Sequence, residues 1–73
     1  MTIKTSQNKT FNCDLAVTSP NPPRLYLHIV DADVADVAKV FTDKTELPIE
    51  GYPSYTEFDS MNMTQGGINI CLK

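Results

Sequence analysis

Apolar residues occupy alternate positions over Phe11, Cys13, Leu15 and Val17, with Asn12, Asp14 and Ala16 between them. A period of two is the spacing of a strand with one buried face. Ile3, set among Thr2, Lys4 and Thr5, begins the same pattern earlier, and the polar run Ser6-Gln7-Asn8-Lys9 separates the two stretches. Residues 2–5 and 10–17 are therefore expected to form a β-hairpin, with Ile3, Phe11, Cys13, Leu15 and Val17 directed to the core. Pro20, Pro22 and Pro23 follow within four positions. Prolines lack amide donors and fix φ, which predicts an extended, exposed connector over 18–23 and excludes a central strand there.

Leu25, Leu27 and Ile29 share one face of the next stretch, and Tyr26, His28 and Val30 share the other. A strand apolar on both faces belongs in the middle of a sheet. The period then changes. Val34, Val37, Ala38 and Phe41 are spaced i, i+3, i+4 and i+7, one stripe of an α-helix over 33–41. Asp31 or Asp33 suits its N-cap, Asp36 its first turn, and Lys39 and Lys44 its far end. After it, Glu46-Leu47-Pro48-Ile49-Glu50 alternates again, with a proline that predicts an edge strand. Gly51-Tyr52-Pro53-Ser54 reads as a turn, 55–63 as a weaker strand, Gln65-Gly66-Gly67 as a reversal, and 68–72 as a closing half-buried strand. The expected architecture is a single α+β domain over 1–73. It has five to six short antiparallel strands and one packed helix, in the order β-β-β-α-β-β-β.

A chain of 73 residues has room for one core, and its 41% apolar and 21% charged residues are those of a globular protein. No apolar run approaches the roughly 18 residues of a membrane span, and the first residues carry no apolar stretch of a signal peptide. The expected compartment is therefore the cytoplasm, of the producing cell or of a host. Cys13 alternates in phase with the core face, whereas Cys71 alternates out of phase with Ile70 and Leu72. Two cysteines on opposite faces of a sheet are not bridged, so free thiols are expected.

Charge changes the picture most. Asp31, Asp33, Asp36, Asp43, Glu46, Glu50, Glu57 and Asp59 face only Lys39 and Lys44 in the same segment, which carries −6 of a chain whose net charge is −3. Such a balance disfavours nucleic acid, whose phosphates need Lys and Arg, and favours a basic protein surface. Asp31, Asp33 and Asp36 lack the glycine and terminal glutamate of an EF-hand loop, and helix capping accounts for two of the three without any metal, so no metal site is expected. His28 is the only histidine and stands mid-strand with no cysteine beside it in sequence. No nucleophile elbow, phosphate-cradling glycine loop, C-x-x-C pair or H-E-x-x-H is present, so neither enzymatic activity nor a cofactor is expected. Pro20-Asn21-Pro22-Pro23 contains P-x-x-P without a basic residue at the offset of an SH3 ligand. Tyr52, beside Gly51 and Pro53, is expected to be exposed. With Tyr55, Phe58, Leu47 and Ile49 it would form an apolar patch beside the acids.

Val37-Ala38-Lys39-Val40-Phe41-Thr42-Asp43, Glu50-Gly51-Tyr52 with Tyr55, and the ending Ile68-Asn69-Ile70-Cys71-Leu72-Lys73 carry a resemblance. They resemble short α+β proteins encoded in phages and prophages of Gram-positive gut bacteria, and the match covers about half of the chain. The resemblance implies a phage-type accessory protein that binds a protein partner and inhibits it, for instance a nucleic-acid-binding nuclease of a host defence such as CRISPR. A virion tail or head-completion component is the alternative, in which an edge strand would pair with neighbours as a homo-oligomer, and a bacterial domain of another role is the third. The expected contact surface is Asp31, Asp33, Asp36, Glu46, Glu50 and Tyr52.

Overall fold

The structure, a computed structural model, describes residues 1–73. Its elements are β1 (Thr2–Lys4), β2 (Thr10–Pro20), β3 (Pro23–Val30), α1 (Val34–Phe41), β4 (Phe58–Thr64) and β5 (Gly67–Leu72). They form an α+β fold with one five-stranded antiparallel sheet in the order β1-β2-β3-β5-β4. β3, apolar on both faces in sequence, is the middle strand. Its Leu25, Leu27 and Ile29 lie at the centre of a 14-residue core with Ile68, Ile70 and Leu72 of β5.

The helix forms where the period predicts it. The Asp33 carboxylate accepts the Ala35 amide at 3.1 Å, satisfying one of the four free donors of the first turn. Val37, Val40 and Phe41 are buried on the sheet, each contributing about 1.5–3 kcal/mol of apolar burial. Phe41 packs on Phe11 of β2, ring centres 5.6 Å apart, which ties the helix to the first hairpin. An eight-residue helix has no stability of its own, so this stripe holds it in place.

Several expectations are corrected. Leu15 and Val17 do not face the core: they are 44% and 45% exposed on the opposite face. The register of β2 on β3 shifts between Cys13 and Leu15, so Asp14 is an extra, bulged residue and every side chain beyond it changes face. Ala16 takes the inward position instead, packed against the core. The segment 18–23 is extended and largely exposed as expected, but it is part of a hairpin rather than a connector. β2 continues to Pro20, pairs Pro20 with Pro23, and turns through Asn21 and Pro22. Prolines at the end of a ladder cost no hydrogen bond, which is why this hairpin tolerates them.

Residues 46–50 are not a sixth strand. Ile49 makes isolated bridges to Thr5 and Tyr52, and Leu47 and Ile49 are buried in the core rather than offered as a surface patch. The segment still lies along the edge of β1: the Ser6 amide donates to the Glu46 carbonyl and the Glu50 amide to the Lys4 carbonyl. Tyr52 is half-buried against the core, not exposed, because the turn at 49–52 folds it back. The last two strands form in the expected region with shifted bounds: β4 begins at Phe58 rather than Tyr55 and runs to Thr64, and a two-residue turn, Gln65-Gly66, joins it to Gly67, the first residue of β5. Gly66 sits at φ 90°, which favours a residue without Cβ.

Candidate functional site

The helix and the loop after it form one layer over the sheet. Asp31, Asp33, Asp36, Asp43, Glu50 and Glu57 are exposed along 31–57 and Glu46 is half-buried. With Lys39 and Lys44 this segment carries −5. The rest of the chain carries Asp14 and Asp59 against Lys4, Lys9, Arg24 and Lys73, or +2. Asp59 is taken up by Arg24 at 3.2 Å and Lys73 at 4.0 Å. The acidic excess belongs to the segment 31–57, and in space Lys9 stands with Asp36, Asp43 and Glu46 while Lys4 stands beside Glu50.

The six expected contact residues do not form one patch. Asp36 and Glu46 line a shallow hollow that also contains Lys9, Lys39 and Asp43. Glu50 and Tyr52 line another, beside Lys4 and Ile3. Asp33 is committed to its helix cap, and Asp31 stands exposed at φ 57° before it. Glu46 is committed as well: its Oε2 accepts the Thr5 hydroxyl at 3.1 Å. Thr5 is buried, and its Oγ1 also accepts the amides of Lys9 at 3.1 Å and Gln7 at 3.3 Å, closing the first turn of the chain. The acids free to meet a partner in this set are therefore Asp31, Asp36 and Glu50.

On the other side, the open face of the sheet carries a network that sequence reading does not find. His28 Nδ1 lies 2.6 Å from Asp14 Oδ1 and its Nε2 lies 2.8 Å from Thr64 Oγ1. The bulge at Asp14 turns its carboxylate to this face. Gly67 makes room for the ring, since a Cβ there would stand 2.7 Å from Nε2 and 2.4 Å from the Ile29 carbonyl. The imidazole is 18% exposed and crosses β5 to join β2, β3 and β4. A carboxylate, an imidazole and a hydroxyl are thus aligned, which fixes the ring's orientation and ties the bulge to the last hairpin.

Beside it, Leu15, Val17 and Tyr26 line a shallow hollow of about 580 Å³ opposite Ser60, Asn62, Asn69 and Cys71. Neither cysteine meets His28. Both thiols are free and buried, Cys13 in the core and Cys71 with Sγ 3.4 Å from Asp59 Oδ2. Burial pushes both thiols up from their ordinary range, and the Asp59 carboxylate adds to the shift at Cys71. Exposed Asp43 is shifted down, held by the amide and hydroxyl of Thr45. No helix is long and apolar enough to cross a membrane.

No family model matches the chain, and no curated protein or solved structure is similar to it.

Proposed function

We propose that the protein is a binding module that lays its helix-and-loop layer on a basic surface of another protein and blocks it. The acidic excess of residues 31–57 carries this reading. Seven acids against two lysines in that segment, with only three of the acids spent on the fold, leave carboxylates that attract cations. A basic surface that normally holds phosphates is the kind such a layer would occupy, so a nucleic-acid-binding protein, such as a defence nuclease of a phage host, is the partner class proposed. The module acts by occupying that surface, without turnover.

The test is retention from bacterial lysate on the immobilised protein, with the variant Asp31→Lys/Asp36→Lys/Glu50→Lys beside it. Asp33 and Glu46 stay unchanged because they hold the helix cap and Thr5. A basic protein retained near stoichiometry, released by salt or by added nucleic acid and ignored by the variant, supports the reading. A partner that the variant retains equally, or that salt does not release, overturns it.

A further inference from the structure

The two edges of the sheet are treated differently. Along β1, the Glu50 amide reaches the Lys4 carbonyl and Ile49 bridges Thr5, so part of that edge is covered. Along β4, no hydrogen bond from a loop, turn or side chain reaches the backbone of residues 58–64. A two-residue hairpin pairs Thr64 with Gly67 and, by alternation, Asn62 with Asn69. The amides and carbonyls of Met61 and Met63 therefore point outward, unpaired. The strand has none of the usual protections in residues 60–64: no proline, no lysine, no charge at all. The bulge at Asp59 ends the regular edge on one side and the turn at Gln65 ends it on the other. Met63, on the same face as Met61, which packs half-buried against the core, is 62% exposed at this edge.

We infer that β4 pairs antiparallel with β4 of a second copy of this chain, giving a two-fold dimer whose sheet runs through both. The register sets Met61 opposite Met63 of the second copy, and Met63 opposite its Met61, so that the outward groups exchange hydrogen bonds. Asn62 then meets its own symmetry mate on the axis, and Ser60 meets Thr64. A second copy fits better than a foreign strand because the segment is complementary to itself. Methionine covers methionine, hydroxyl meets hydroxyl, amide meets amide, and no like charges are opposed in a chain of net charge −3. The exposed Met63 of each copy becomes covered. A two-fold axis normal to the sheet leaves both helices on the same side, so the two acidic layers lie next to each other. This inference stands on the edge alone and not on the proposed partner.

The experiment is light scattering with size exclusion on the full chain over a range of concentrations, together with Met63→Lys and with Asn62→Cys. The expected molar mass is twice the 8.1 kDa of the chain, falling twofold in Met63→Lys while its circular dichroism is unchanged. On the axis, a non-hydrogen-bonded antiparallel pair holds its Cα atoms about 4.5 Å apart, within disulfide reach. Asn62→Cys is therefore expected to form a covalent dimer with oxidised glutathione, and Gln65→Cys, away from the axis, is not. Cys13 and Cys71 are buried and do not compete. A monomer at millimolar concentration, a dimer untouched by Met63→Lys, or crosslinking at Gln65→Cys instead of Asn62→Cys overturns the inference.

Discussion

Gly67 is where it is because of its neighbours. Its missing side chain is the space in which the His28 ring crosses β5, and an added methyl would also strike the Ile29 carbonyl. A ring can turn aside, but a carbonyl in a ladder cannot. Gly67→Ala is therefore expected to cost about 1–3 kcal/mol in urea unfolding, and to release the His28 side chain in NMR spectra. The thiols give a second test at this scale. Both hold their protons above the ordinary thiol range when folded, and the unfolded chain loses them first. Their contribution is intact at lower pH and is lost as pH rises through the raised values, so stability falls there. Cys13→Ala/Cys71→Ser is expected to flatten that alkaline decline in the urea midpoint. The facing of the two cysteines was readable from alternation alone. The Asp14–His28–Thr64 chain was not, since its members lie 14 and 36 positions apart and meet only once the strand order is known.

Elements were legible where one signal dominated. The helix had a period, a cap and an acidic first turn that all agreed, and Asp33→Ala is expected to cost about 1 kcal/mol in thermal or urea unfolding, with Asp33→Asn losing less. The central placement of β3 followed from its two apolar faces. β2 misled because alternation cannot register a bulge: Leu15 and Val17 continue the period on paper, while one extra residue in the backbone reverses their facing. The segment 46–50 misled differently. Its alternation is real, and it buries Leu47 and Ile49, but Pro48 and the tight turn at 49–52 leave it only bridges. Pattern reports burial there, not ladder pairing. The expected contact surface suffered from the same limit, because a carboxylate's sequence position does not tell whether Thr5 or a helix amide already holds it.

At the scale of the whole molecule, salt separates the two associations. Contact of the acidic layer with a basic partner is expected to weaken as ionic strength rises, whereas pairing of two β4 edges brings like-charged layers together and is expected to tighten from low to physiological salt. Affinities and dimer mass measured across the same salt series would show opposite slopes. The acidic segment was visible in the sequence, and it is confined to the helix and the long loop that fall between β3 and β4. That confinement has a physical result of its own. A body of 27 × 24 × 20 Å with −5 over residues 31–57 and +2 over the rest of the chain has a dipole moment, reduced where Lys4 and Lys9 stand beside the acids. In the field of a positively charged surface it experiences a torque, and so turns its helix side forward before any side chain makes contact. Fewer collisions are then spent in the wrong orientation, and the rate of productive encounter rises without any gain in the strength of the final contact.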